Sequence, residues 1–171
     1  MTLIANTGVP MLMIYAPVFV LAFVPIVLIE SFVIARIVKK PFARALGMVT
    51  LANFASTLVG VPLSWIALVI VEATIGSAGV NVGGVGGLVL QAPWLGPDER
   101  NLHWMIPAAG LTLAVPFFLV SAWSESLVIR AAWTEAKTEP LLRKSVWAAN
   151  AISYTLLCVW WGVLLARALM R

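Results

Sequence analysis

The sequence predicts an all-α integral membrane protein whose four transmembrane helices form two tandem, duplicated helical hairpins. Three observations lead to this prediction. The composition is strongly apolar, four apolar runs are each long enough to cross a bilayer, and the same polar residues recur in order in both halves of the chain.

The composition excludes an ordinary soluble domain. The 171 residues are 62% hydrophobic and only 11% charged, whereas soluble domains are about 45–50% apolar and about 25% charged. A chain of this length has no interior large enough to hide so much apolar surface from water. Lipid accommodates it, and the length suits a single transmembrane domain.

Four apolar runs reach the roughly 20 residues that a helix needs to cross the hydrocarbon core of a bilayer. They extend over residues 11–37, 45–75, 104–132 and 146–169. Prolines fall inside these runs, among them Pro17, Pro25, Pro62 and Pro116. Neighbouring helices in a membrane bundle can satisfy the backbone groups that proline frees, so we expect kinked helices rather than breaks.

The basic residues are distributed unequally between the two ends of the spans. Eight flank the first and third connections: Arg36, Lys39, Lys40, Arg44, Arg130, Lys137, Arg143 and Lys144. The other side has Arg100, Arg167 and Arg171. The positive-inside rule therefore predicts that both short basic connections are cytoplasmic and both termini extracytoplasmic. Because the cations cluster beside apolar segments, we do not expect nucleic acid as a partner.

A polar pattern occurs twice along the chain. The first copy consists of IESFVIAR at 29–36 followed by LANFAS at 51–56, and the second of SESLVIR at 124–130 followed by AANAIS at 148–153. We therefore expect repeat unit 1 at about 11–75, a Gly-rich extracytoplasmic connection at about 76–103, and repeat unit 2 at about 104–169. Because each unit supplies two spans, the copies would lie parallel about an axis along the membrane normal.

Two glutamates, Glu30 and Glu125, fall inside predicted spans. A carboxylate at the centre of a transmembrane helix costs about 2.5–3.5 kcal/mol on insertion scales, so each glutamate needs a partner. Helical spacing places Asn53 with Ser56 on one face of the second span. The candidate ligand- or ion-binding site comprises Glu30, Glu125, Asn53, Asn150, Ser56, Ser153 and Tyr154.

The pairing within this site follows from the hairpins. If the spans pack as antiparallel hairpins, each glutamate can meet an asparagine of its own hairpin at similar depth. Arg36 and Arg130 lie too far along their own helices to pair with the local glutamate, but each could reach the glutamate of the other unit. The polar residues would serve as interhelical hydrogen bonds, as a site for a proton, a cation or a cationic ligand, or as a contact with a partner subunit.

Three classes of function are compatible with this sequence. The first is a non-catalytic accessory or assembly subunit of a larger membrane complex, whose buried Glu, Asn and Ser contacts hold the bundle. The second is a small oligomeric transporter or channel that uses the paired glutamates, because ionisable residues inside the membrane are functional candidates. The third is a membrane enzyme acting on a lipid-like substrate.

Cofactors and partners are constrained by what the chain contains. One histidine and one cysteine cannot supply bis-histidine haem ligation or a four-cysteine cluster. No catalytic residues or metal site are predicted, and no cofactor is required, although a bound lipid or pigment is compatible with the sequence. The expected partners are the lipid bilayer and either other membrane subunits or further copies of the chain.

Overall fold

The structure, a computed structural model, describes residues 16–77, 102–136 and 138–170. Four long α-helices make up nearly all of these residues. They are α1 (Ala16–Val38), α2 (Phe42–Ser77), α3 (Leu102–Ala132) and α4 (Leu142–Leu169). All four are long and apolar enough to cross a membrane, which indicates a multi-pass membrane protein.

The helices differ from the predicted spans mainly at their amino ends. α2 begins three residues before the predicted start at 45, and α4 begins four residues before the predicted start at 146. The apolar runs mark the hydrocarbon-facing part only, whereas the helices continue into their polar first turns. Residues 11–15 of the first predicted span and most of the Gly-rich connection, 78–101, lie outside the described residues.

The prolines do not break the helices. Pro25 lies inside α1, Pro62 inside α2, and Pro116 inside α3, with helix continuing on both sides of each one. Pro17 is the second residue of α1, where the missing N–H would have no intrahelical partner in any case.

The turn between α1 and α2 is a helix C-cap made without glycine. Lys39 follows the end of α1 with a positive φ of 54°, and the Lys40 N–H donates to the Ala35 carbonyl oxygen at 3.2 Å. This is the bond of a Schellman motif, in which a left-handed residue reverses the chain. Pro41 follows, and its carbonyl oxygen accepts the first bonds of α2.

The connection between α3 and α4 is longer and partly buried. It contains a short 3-10 helix, Thr134–Ala136, which is anchored by the buried side chains of Trp133 and Ala136. Two ion pairs join this connection to the turn between α1 and α2 and to the start of α2: Lys40 with Glu139 at 3.7 Å, and Arg44 with Glu135. The two basic connections therefore lie together at one end of the bundle.

The helices follow one another around the bundle. α1 packs against α2 and α4, and α3 packs against the same two helices. The tightest packing lies at the basic end, where the buried apolar residues include Ile34, Val38, Ala45, Val49, Ile129, Trp133, Leu142 and Val146. The same cluster contains the alanines Ala35, Ala45, Ala52 and Ala149, whose small side chains allow the close backbone approach that favours helix association in lipid.

A glycine and a tryptophan bring α3 and α4 together away from the basic end. A Cβ built on Gly110 would lie 2.8 Å from Cε2 of Trp161. The indole ring of α4 thus occupies the space that a side chain at this position of α3 would need. In contrast, many large apolar side chains point outward along all four helices, as expected for surfaces that face lipid tails.

Candidate functional site

The two glutamates occupy the interior of the bundle. Glu30 on α1 and Glu125 on α3 are each only 1% exposed. Each is followed by a buried serine, Ser31 or Ser126, whose hydroxyl donates 2.6 Å to a carbonyl oxygen four residues earlier in its own helix. The hydroxyl group of each serine is bonded within its own helix, so the neighbouring glutamate can bond to residues of other helices.

Each glutamate bonds to the asparagine of its own hairpin. Asn53 Nδ2 donates to Glu30 Oε2 at 2.7 Å, and Asn150 Nδ2 donates to Glu125 Oε2 at 2.8 Å. The other amide proton of each asparagine goes to a carbonyl oxygen one turn earlier, at 3.2 Å in both cases. The helix itself therefore orients both amide groups toward the carboxyl groups.

Each glutamate also bonds to a serine of the opposite hairpin. Ser153 Oγ on α4 forms a hydrogen bond of 2.6 Å with Glu30 Oε1, and Ser56 Oγ on α2 forms one of 3.3 Å with Glu125 Oε1. The prediction that Arg36 and Arg130 could each reach the glutamate of the other unit is wrong, because among the described residues neither arginine forms an ion pair with a glutamate. Arg36 instead stacks on the ring of Phe32, at 5.2 Å from its centroid, and among the described residues the ion pairs lie in the connections.

The two serines close the contacts into a ring. Ser56 Oγ lies 3.0 Å from the Asn53 carbonyl oxygen, and Ser153 Oγ lies 3.1 Å from the Asn150 carbonyl oxygen. Starting at Glu30, the contacts pass through Asn53, Ser56, Glu125, Asn150 and Ser153 and return to Glu30. We call these six residues the polar ring. It passes once through every helix of the bundle.

The number of protons in the polar ring indicates its charge. Six contacts need six protons to be full hydrogen bonds. The two amides and two hydroxyls supply one each, since the second proton of each amide goes to its own helix and a hydroxyl has only one proton. The remaining two come from the carboxyl groups if both are protonated. Each serine then donates to a carbonyl oxygen and accepts from a glutamate.

The ionised alternative would be costly. The two carboxyl groups lie close together, because Asn53 and Ser56, three residues apart on α2, bond to one each. As carboxylates they would place two like charges in a buried environment. Within the described part of the chain, no cation reaches either carboxyl group. A buried charge without a partner is far less favourable than a neutral hydrogen-bonded group. The geometry therefore fits a polar ring that carries two exchangeable protons and no net charge.

One acceptor in the polar ring has no partner. Asn150 is fully buried, and its Oδ1 makes no hydrogen bond to the described residues. Both N–H groups of the same amide already donate hydrogen bonds. Exchanging the positions of the amide oxygen and nitrogen would break both of these bonds, so the orientation is fixed. A buried acceptor of this kind costs about 1–3 kcal/mol. It offers a place for one further donor beside Glu125.

Tyr154 lies beside the polar ring rather than in it. Its aromatic ring packs edge-on against Phe118 at a centroid distance of 5.7 Å, and Phe118 contacts Trp147 in the same way. Its hydroxyl neighbours Ser121 on α3. Of the seven predicted site residues, the structure thus brings six into one network and places the seventh in an adjoining aromatic contact.

Among the described residues, the cleft nearest to the polar ring does not reach its carboxyl groups. A cleft of about 180 Å³ opens between α1 and α4 and ends at Ser153. Its other lining residues are Ala22, Pro25, Ile26, Ile29, Leu156 and Leu157, and no polar atom contributes to its surface. The cleft suits an apolar chain, but the carboxyl groups behind Ser153 are hidden from it.

The fold and the site together define the class of protein. It is a bundle of four helices that are each long and apolar enough to span a membrane, and a buried ring of Glu, Asn and Ser side chains joins these helices at the centre of the bundle. Comparisons with protein-family models, with characterised proteins and with solved structures found no match. The interpretation of this site therefore depends on its own geometry.

Proposed function

We propose that the chain is a non-catalytic accessory or assembly subunit of a larger membrane complex, in which the polar ring holds the bundle together. The observation that supports this most directly is the closure of the ring. Every helix contributes to it, its carboxyl groups are 1% exposed, and the clefts near it expose none of their oxygens. A buried, closed network of this kind is more typical of hydrogen bonds that hold helices together than of an open binding site.

The outer surface is consistent with this proposal. Trp123 on α3 and Trp160 on α4 are 62% and 59% exposed, and they are among many large apolar side chains on the outside of the bundle. Tryptophan is enriched in protein interfaces because it provides a large rigid contact area. We propose that part of this surface contacts helices of partner subunits and the remainder contacts lipid.

Two further features belong to this proposal. We propose that the hairpins arose as tandem copies, which is supported by the matching bonds of Glu30 to Asn53 and of Glu125 to Asn150. We also propose that the two joined basic connections face the cytoplasm, as the positive-inside rule favours. Cysteine labelling of an introduced thiol at Thr138 from either side of the membrane tests this orientation.

The subunit proposal is tested by purifying the tagged full-length chain from its native membrane in mild detergent and identifying co-purifying proteins by mass spectrometry. We expect stoichiometric partner subunits. The variants Trp123→Ala and Trp160→Ala should reduce the partner yield, whereas Thr155→Ala, an exposed change on the same α4 that removes only a bond to its own helix, should not. A chain that purifies alone as a monomer or homo-oligomer would contradict the proposal.

A small proton-coupled transporter is the alternative, and the division of bonds between hairpins favours it. Each glutamate keeps its asparagine within one hairpin but shares its serine with the other. Within the polar ring, a rocking of one hairpin against the other would break only the serine bonds, and transporters with repeats move in this manner. The two exchangeable protons of the ring would then become accessible.

Proteoliposomes containing a pH-sensitive dye separate these alternatives. Under an imposed membrane potential, a proton pathway through the ring gives a flux in the wild type that is lost in the Glu30→Gln, Glu125→Gln double variant. Glu139→Gln is the matched control, because Glu139 is a partly exposed carboxylate in a connection. A wild-type flux no greater than that of the double variant would exclude proton conduction by the isolated chain.

A further inference from the structure

We infer that the cleft between the end of α1 and the start of α2 binds the phosphate headgroup of an anionic membrane lipid. The cleft has a volume of about 390 Å³ and is lined by Phe32, Ala35, Arg36, Lys40 and Phe42. Two cations and two aromatic rings therefore border one cavity. This inference does not depend on the proposed function, since it concerns a different part of the molecule.

The turn after α1 builds the cationic side of the cleft. Because Lys39 takes the left-handed conformation, the chain folds back and the Lys40 N–H bonds to Ala35 in the last turn of α1. Lys40 is thereby held next to the helix end that carries Arg36, and both side chains line the same cavity.

The charges of the cleft are only partly neutralised. Arg36 forms no ion pair with any described residue, and its guanidinium lies over the Phe32 ring at 5.2 Å. A contact with the ring face uses none of the guanidinium N–H groups, so they remain available to a ligand. Lys40 has one partner, Glu139, at the long distance of 3.7 Å. Arginine binds phosphate through paired hydrogen bonds, and lysine adds a point charge.

The position of the cleft identifies a lipid rather than a free phosphate as the occupant. It lies where the membrane-spanning part of α1 ends at Val38 and that of α2 begins at Phe42, which is the depth of lipid headgroups. Phe32 and Phe42 are exposed and line the same cleft as the two cations, so their rings can contact the acyl chain of a bound lipid. Basic pockets between transmembrane helices are known to bind anionic headgroups.

The test uses the delipidated full-length protein in neutral detergent, with phosphatidylglycerol or phosphatidylcholine of the same acyl chains added. We expect native mass spectrometry to show tighter binding of phosphatidylglycerol, and phosphatidylglycerol to raise the thermal unfolding temperature more than phosphatidylcholine. Arg36→Gln should weaken phosphatidylglycerol binding about fivefold, the value that corresponds to one cation near a membrane surface. Phe42→Ala, an exposed position, serves as a second variant and should weaken both lipids.

The control is the Arg143→Gln, Lys144→Gln double variant, which removes two exposed cations from the same end of the bundle without touching the cleft. It should bind phosphatidylglycerol as the wild type does. Equal weakening in this control would show that only general surface charge acts, and would overturn the inference. Equal stabilisation by phosphatidylcholine or by inorganic phosphate would also overturn it.

Discussion

Ser153 Oγ on α4 forms a 2.6 Å hydrogen bond with the Glu30 carboxyl group on α1, across 123 positions of sequence. This bond joins the last helix of the bundle to the first. Its counterpart, from Ser56 on α2 to Glu125 on α3, is longer at 3.3 Å. The two bonds connect the hairpins to each other, whereas the asparagine bonds act within each hairpin.

The two serines should contribute unequally to stability. Ser153→Ala should lower the free energy of unfolding by about 0.6–1.7 kcal/mol, the range measured for hydrogen bonds between membrane helices. Ser56→Ala should cost less, because its bond to the glutamate is longer. Equilibrium unfolding in mixed micelles measures both values, with Thr155→Ala as a control that removes only a bond within its own helix. A larger loss for Ser56→Ala would contradict the assigned distances.

The protonation of the polar ring should be visible by infrared spectroscopy. Both glutamates should show the C=O stretch of a protonated carboxylic acid at neutral pH, because two protons are needed to complete the ring. Each single change to glutamine should remove about half of this band, and the double variant should remove it entirely, whereas Glu139→Gln should leave it unchanged. Absence of the band from the wild type would show that the carboxyl groups are ionised.

Glutamine should also replace either glutamate with little loss of stability. The amide of Glu30→Gln can accept from Asn53 through its oxygen and donate to Ser153 through its nitrogen, as the protonated acid does. Glu30→Leu instead removes the acceptor and donor together and leaves the buried Asn53 amide unpaired, at a cost of about 1–3 kcal/mol. Unfolding measurements on the two variants compare these outcomes, and a Gln variant as unstable as the Leu variant would indicate that the ring needs a charge.

Two glycines of the same helix pair should respond in opposite directions to alanine. Gly110→Ala places a methyl group 2.8 Å from the Trp161 ring and should destabilise the bundle by about 1–3 kcal/mol, as overpacking does. Gly162→Ala meets no atom within 4 Å and should stabilise α4 by up to about 1 kcal/mol through helix propensity. Thermal unfolding of both variants tests this, and similar effects of the two changes would contradict the contact.

Glycine in place of Lys39 should stabilise the turn between α1 and α2. A left-handed backbone costs a non-glycine residue about 1–2 kcal/mol, and glycine offsets part of this gain through its greater freedom in the unfolded chain. Lys39→Gly should therefore raise stability by roughly 0.5–1 kcal/mol, and Lys39→Val should lower it. Unfolding in detergent measures the stability of both variants. Equal stability of the valine and glycine variants would contradict the left-handed conformation of Lys39.

The sequence alone predicted the four candidate membrane-spanning helices and, for antiparallel hairpins, the approach of each glutamate to an asparagine. Apolar length sets the spans, since a helix that crosses hydrocarbon needs about 20 apolar residues whatever its neighbours are. The pairing of Glu30 with Asn53 follows from a short connection, because two helices joined by a tight turn are antiparallel neighbours. Residues at equal distances from that turn then lie at similar depth, and the same reasoning applies to Glu125 and Asn150.

Only the tertiary structure decided how the hairpins meet. Spacing along one helix shows that Asn53 and Ser56 share a face, but it does not show which helix that face contacts. Because α1 lies beside α4 and α3 beside α2, each glutamate reaches a serine of the opposite hairpin, and the arginines considered from the sequence remain outside the ring. The cleft at Arg36 depends in the same way on a left-handed turn at a lysine, a conformation that residue type does not favour. Contacts between distant helices depend on how the whole bundle minimises unpaired polar groups, and no local pattern in the sequence records that arrangement.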